Sequence, residues 1–216
     1  MNHTFKAFCL ITLSFLITET LLSETTLEGP IAPHLSEARL DFQQVFAGER
    51  FPNVVVTPKG TIVASWGTSS LKTRRSTDGG KTWSAINEVQ KPGFQSGGLT
   101  VNDKTGEVIV FTEAHHPPAK ISTYISKDDG ASFSPLESTF GKDSRGNGPD
   151  LHMNDNGITL RHGKFAGRLI RPTRCYAGKN DRSLWSKHYT NAIYSDDGGK
   201  NWKVSEPFPG YGFGEA

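Results

Sequence analysis

The chain has 216 residues, long enough for one large domain or two small ones with a sizeable buried core. Lys and Arg number 24 against 22 Asp and Glu. This near-balance, with basic runs as short as KTRR at 72–75 and no interleaved aromatic residues, argues against a nucleic-acid partner.

The chain opens with an export-type segment. His3 and Lys6 precede the apolar run AFCLITLSFLI at 7–17, which is too short to span a bilayer comfortably, and the small residue Ser23 stands where cleavage would occur. A signal peptide over 1–23 is expected, followed by an N-terminal segment over 24–42, with no membrane span once the signal is removed. That makes the protein secreted or periplasmic. Cys9 lies inside the apolar run without the small residues that precede a lipidated cysteine. Cys175 is then the one thiol of the mature chain, so no internal disulfide and no thiolate metal cluster is expected. No histidine and acid pattern surrounds Cys175, and it reads as a small buried hydrophobe.

From residue 43 onward the chain reads as strands. NVVVTPKGTIVASWG (53–67), GLTVNDKTGEVIVFTE (98–113) and GITLRHGKFAGRLIRPTR (157–174) each place two β-rich runs around a polar turn containing glycine. After each comes a further strand and an acidic turn of the form Ser-x-Asp-x-Gly-x-x-aromatic: STDGGKTW from Ser76, SKDDGASF from Ser126 and SDDGGKNW from Ser195. In such a turn the aspartate (Asp78, Asp128, Asp197) accepts from following backbone N–H groups. The glycine (Gly80, Gly130, Gly199) takes positive φ, and the aromatic residue covers the hairpin's apolar side. Each loop has too few carboxylates for a calcium site, which needs six to eight oxygens. The turns read as structural. Their serines are spaced by 50 and then 69 positions, about four strands per unit, which is the pattern of propeller blades.

The triple turn resembles the Asp-box of the sialidase (neuraminidase) superfamily, a six-bladed β-propeller. Three further stretches match in order: ERFPNVVVTPKGTIVA resembles the Arg-x-Pro strand through Arg50, Phe51 and Pro52, GITLRHGKFAGRLIRP the strand pair before the third box, and SDDGGKNWKVSEPFPGYGFGEA the segment leading to an active-site glutamate, here Glu215. The resemblance runs from about Gln43 to the last residue. It implies an all-β, sialidase-type propeller over 43–216, present as an incomplete fragment of three to four blades.

The resemblance assigns Arg50 to the carboxylate of an acidic sugar, which a guanidinium meets bidentately. Taken alone, Arg50 reads as a surface residue paired with Glu49. In the family three arginines share that carboxylate, and this sequence supplies the first. The same resemblance makes Glu215 the base that takes the proton of a tyrosine nucleophile lying further downstream. Tyr176, Tyr189, Tyr194 and Tyr211 do not occupy that place. The sequence departs from the family between the Arg-x-Pro strand and the first box, where SWGTSSLKTRRS (65–76) holds no Asp or Glu to act as acid/base. His115, His116 and Asp150 are the alternatives, each of which also reads as a solvated loop residue.

Two functions follow: a secreted exo-glycosidase releasing terminal sialic acid or a related acidic sugar, or a non-catalytic Asp-box propeller that binds glycans or proteins. A scaffold without a sugar site is a third. Sialylated or other acidic glycans are the expected partners, and no cofactor is implied.

Overall fold

The computed structural model describes residues 40–95, 97–116, 118–152, 155–176 and 181–209. The expected signal peptide, Tyr211 and Glu215 lie outside the described residues. The chain divides into units 1–43 and 44–216, and the architecture below belongs to the second.

Alternating apolar residues and glycine turns produce the hairpins read from the sequence. In the first sheet, β1 (Asn53–Val56) and β2 (Ile62–Trp66) pair antiparallel around a turn in which Gly60 has φ of +84°. With β3 (Leu71–Ser76) and β4 (Asn87–Gln90) they form a four-stranded sheet of order β1-β2-β3-β4. The second sheet contains β5 (Phe94–Gln95), β6 (Thr100–Val101), β7 (Val108–Glu113), β8 (Ile121–Ser126) and β9 (Ser134–Leu136), with β5 and β6 both pairing β7. The third sheet has order β10-β14-β13-β12-β11, built from β10 (Thr139–Phe140), β11 (Ile158–Thr159), β12 (Leu169–Cys175), β13 (Tyr189–Ser195) and β14 (Asn201–Val204). The β10–β14 pairing is parallel and the other pairings are antiparallel. The chain is thus all-β, with three blade-like sheets among the described residues. A 3₁₀ turn at Arg182–Lys187, which the strand pattern did not anticipate, starts at Asp181, whose carboxylate accepts from Ser183 N–H at 2.9 Å.

The two hydrophobic cores lie between successive sheets. One joins Val63 and Leu71 of the first sheet to Val108 and Val110 of the second and to Leu99, just before β6. The other joins Ile109, Phe111 and Ile125 of the second sheet to Leu169, Ile193 and Trp202 of the third. Successive strand residues point to opposite faces, so β7 sends alternate side chains into each core. That is why VIVFTE is buried at every position and reads as a continuous apolar run.

The three acidic turns share one geometry. Each serine Oγ donates to the aspartate Oδ1 (Ser76 to Asp78 2.7 Å, Ser126 to Asp128 2.8 Å, Ser195 to Asp197 2.8 Å). The same Oγ accepts from the glycine N–H of Gly80, Gly130 or Gly199 at 2.8–2.9 Å. The aspartate Oδ1 accepts the N–H of Thr82, Ser132 or Asn201, each at 2.9 Å. Bonds from Thr82, first of all its hydroxyl, hold the Asp78 carboxyl well below the usual range. For Asp128, burial raises the carboxyl, but bonds from Ser132 and Ser126 outweigh it and bring it down to about 2. The same contest lowers Asp197.

The glycines serve the seams between sheets as well as the turns. Gly130 has φ of +80°, and a Cβ there would lie 2.6 Å from Val63 Cγ2 in the preceding sheet. Gly199 has φ of +90°, and its Cβ would lie 2.6 Å from Ile109 Cδ1. Arg75 and Thr57 of the first sheet secure the first seam. Arg75 Nη1 donates to the carbonyls of Asp128 and Asp129, both at 3.3 Å, and Thr57 Oγ1 donates to Asp129 Oδ1 at 2.6 Å.

Candidate functional site

Arg50 stands at the entrance to β1. Pro52 leads into the strand, and Phe51 holds φ of +64°, a region that non-glycine residues adopt at a cost of about 1–3 kcal/mol and mostly where function requires it. The Arg50 carbonyl accepts the N–H of Gly67 at 3.1 Å, and its guanidinium lies 4.9 Å from the Phe51 ring centroid. Glu49 does not pair with Arg50. Its carboxylate binds Lys72 Nζ at 2.5 Å on β3, which corrects the surface-pair reading of Arg50.

Arg50 and Phe51 form one wall of a cleft of about 580 Å³. The turn after β2 supplies Thr68 and Ser69, the segment after β7 supplies Ala114, His115 and His116, and His152, packed against Phe51, completes the lining. The structure therefore brings together Arg50, His115 and His116 from distant parts of the sequence. No carboxylate lines this cleft among the described residues, in keeping with the acid-free stretch at 65–76.

His152 was not singled out by its sequence context, yet it is central to the cleft. It is 3% exposed, with its ring 5.2 Å from Phe51 and 4.5 Å from His116, both edge-on. Burial, followed by the charges of His116, Arg174 and Arg50, brings its pKa down to about 4. At neutral pH it is an uncharged imidazole that supports its neighbours. The ring series continues from His116 to Tyr176 at 6.2 Å and from Tyr176 to His188 at 4.6 Å.

Glu113, Asp150, Arg171 and Arg174 are ionisable groups buried outside the cleft lining. Asp150 is not a solvated loop residue. Its backbone pairs with Arg174 in both directions (2.8 and 2.9 Å), and its Oδ1 accepts the His152 N–H at 3.0 Å. Burial pushes its carboxyl up to about 7, against the opposing effects of the His152 N–H and the Arg174 charge. Arg174 Nη1 donates to the Tyr176 hydroxyl at 3.2 Å, and burial raises that phenol. Arg171 donates from Nη1 to the Gly98 carbonyl at 2.8 Å and lies 4.3 Å over the Phe111 ring, while burial lowers it to about 9. The signal for these arginines was their position inside a strand, in LIRPTRC, where a side chain must face a neighbouring sheet.

Cys175 is fully buried, and its thiol is pushed up to about 12 by burial and then by the Asp143 charge, so it is no nucleophile. Tyr189 bonds to Asp143, and burial raises its hydroxyl. Among the described residues, no group of three or more His, Cys, Asp or Glu side chains is placed to hold a metal ion, and no helix is long and apolar enough to cross a membrane.

The BNR/Asp-box repeat pattern matches residues 74–85 and 193–204, the first and third turns. A sialidase of Micromonospora viridifaciens is 27% identical over 196 residues, covering 74% of this chain and 29% of the relative. The repeats and this relative support the sialidase superfamily. Two solved structures share its fold. A Hadza microbial sialidase has a TM-score of 0.55 at 19% identity, covering 73% of this chain and 37% of that one. The intramolecular trans-sialidase of Ruminococcus gnavus, in complex with oseltamivir carboxylate, has a TM-score of 0.55 at 14% identity, covering 74% and 60%. The chain spans about three tenths of the curated relative's length. The pattern matches fall on acidic turns and not on the cleft, whose character rests on its own geometry.

Proposed function

We propose that the chain carries the carboxylate-binding part of a sialidase-type exo-glycosidase site, acting on terminal sialic acid or a related acidic sugar of exported or extracellular glycoconjugates. The placement of Arg50 carries this reading: an exposed guanidinium on a backbone-constrained Phe51-Pro52 entry, at the edge of a cleft large enough for a sugar ring. A planar arginine meets a carboxylate with two parallel bonds. Glu215, outside the described residues, is assigned to take the proton of a tyrosine nucleophile, with His115 and His116 as the exposed proton-donating groups of the cleft.

One observation favours a second reading, a propeller that binds acidic glycans without cleaving them: no carboxylate lines the cleft among the described residues. Titration of the protein with N-acetylneuraminic acid, followed by ligand-observed NMR, tests the shared premise. Arg50→Ala should weaken binding roughly 10- to 150-fold, the equivalent of about 1.5–3 kcal/mol for a charged hydrogen-bonded pair. Equal binding of the sugar's methyl ester, or no effect of Arg50→Ala, would remove both readings. Turnover of a fluorogenic sialoside that is lost in Glu215→Gln while binding persists supports the glycosidase. Binding without turnover supports the second reading.

A further inference from the structure

Where asparagine is followed by glycine, the side-chain amide is open to attack by the next backbone nitrogen, because no Cβ stands beside that nitrogen to hinder it. The chain has two such pairs, Asn147 with Gly148 and Asn156 with Gly157, and the fold holds them in opposite ways.

The second pair is closed. The Asn156 side chain bridges two other sheets: its Nδ2 donates to the carbonyl of Val54 on β1 at 2.8 Å, and its Oδ1 accepts the N–H of Leu99, just before β6, at 2.8 Å. The nitrogen that would attack, that of Gly157, donates to the Leu99 carbonyl at 2.9 Å. Gly157 is buried, and a Cβ there would lie 2.3 Å from Thr100 Oγ1 on β6. Attack at Asn156 therefore requires three hydrogen bonds to break in a space already filled.

The first pair is open. Asn147 is half-buried and Gly148 exposed, in the loop between β10 and β11. The Gly148 N–H has no hydrogen-bond partner among the described residues, and a Cβ on Gly148 would meet nothing within 4 Å. The Asn147 side chain makes one bond, from Nδ2 to the Tyr189 hydroxyl at 2.7 Å. Asp143 fixes the backbone from the other side: its Oδ1 accepts the Asn147 N–H and its own N–H donates to the Asn147 carbonyl, both at 2.9 Å. These bonds hold Asn147 in place without engaging the Gly148 nitrogen.

We propose that Asn147 is a site of spontaneous deamidation, left open by its loop, while the sheet-to-sheet bonds of Asn156 keep the other pair closed. The Gly148 nitrogen gives its proton to solvent and attacks Cγ of Asn147. The Cγ–Nδ2 bond breaks, Nδ2 takes up a proton and leaves as ammonia, and a succinimide ring is closed. One water then opens the ring at either carbonyl, leaving aspartate or isoaspartate. Amide and water become carboxylate and ammonia, and nothing is oxidised or reduced. The product has no donor for Tyr189 and sets a second anion beside Asp143, to which Tyr189 is itself bonded. It requires nothing of the sugar cleft.

Peptide mapping by mass spectrometry of the full chain, aged in mildly alkaline buffer, tests this. In the folded chain Asn147 should convert at least about tenfold faster than Asn156, a barrier difference of about 1.4 kcal/mol. In urea, where the bonds that close Asn156 are gone, the two should convert at similar rates. Gly148→Ala, whose added Cβ meets nothing, should slow conversion at Asn147 by about tenfold or more, with matching thermal melts certifying the fold. Asn147→Gln should abolish the modified loop peptide and repeats the test should Gly148→Ala fail to fold. Conversion of Asn156 as fast as Asn147 in the folded chain, conversion at neither, a gap of the same size in urea, or a folded Gly148→Ala that converts as the wild type does would each overturn the proposal.

Discussion

Replacing Gly130 with alanine measures how tightly one sheet is seated on the next. The new Cβ faces two costs. At φ of +80° an L-residue is strained by about 1–2 kcal/mol. In addition, the Cβ would lie 2.6 Å from Val63 Cγ2 and 3.4 Å from Cγ1, and Val63 is stiff and fully buried, so it cannot swing aside. Overpacking of this kind costs about 1–3 kcal/mol, for a total loss of about 2–5 kcal/mol. Gly80→Ala is the control. Its φ of +89° carries the same strain, but its Cβ meets only Ile62 Cδ1 at 3.7 Å, an ordinary contact, so a loss of about 1–2 kcal/mol is expected. The reduction in unfolded-chain entropy is common to both substitutions and drops out of the difference. Urea unfolding of the two variants reads that difference directly. Adding Val63→Ala to Gly130→Ala should bring the cost of the glycine change down to that of Gly80→Ala, since the obstructing methyls are gone. Equal losses for the two glycines, or no relief from Val63→Ala, would refute the seam as the reason for the glycine.

Two further predictions concern pH. The Asp128 carboxyl titrates at about 2 in the folded chain, against about 3.9 when unfolded, so its contribution is present above about pH 4 and is lost as pH falls towards 2. Asp128→Asn should flatten the pH dependence of stability across that window in acid-unfolding curves, and a wild-type slope in the variant would count against the hydrogen-bond account. Asp150 has the opposite sign: burial holds its folded value near 7, so the group's contribution is full below about pH 4 and declines as pH rises to 7. Asp150→Asn should remove that decline in melting temperatures measured from pH 4.5 to 8, and a variant whose melting temperature falls as the wild type's does would contradict a buried, raised carboxyl.

The hairpins and acidic turns were legible because their signals are local. Period-two runs bounded by glycine turns need no distant partner to be recognised, and Ser76, Asp78 and Gly80 lie within one loop. The position of Arg50 at the entrance to a strand was legible through its Arg-Phe-Pro neighbours. What the linear pattern concealed depends on neighbouring sheets. Asp150 sits among Gly, Asn and Pro residues and reads as an exposed loop, but its backbone is bonded to Arg174 and its side chain is enclosed. His152 joins His116 only once the second and third sheets meet. The two-residue strands β5 and β10 are too short to carry a periodicity, and the turn at Arg182–Lys187 has no buried face to mark it.

Neither hydrophobic core belongs to a single sheet. A sheet removed from the series would therefore leave with half of each core it shares, and would have no interior of its own. What can be copied, exchanged or lost without penalty is a whole step of the series, from the middle of one sheet to the middle of the next. Gene duplication acting on such a chain preserves function most easily when its breakpoints fall at equivalent strands, whatever the lengths of the loops between. The acidic turns of Gly130 and Gly199 sit at the two joints, each where one step is fastened to the one before it.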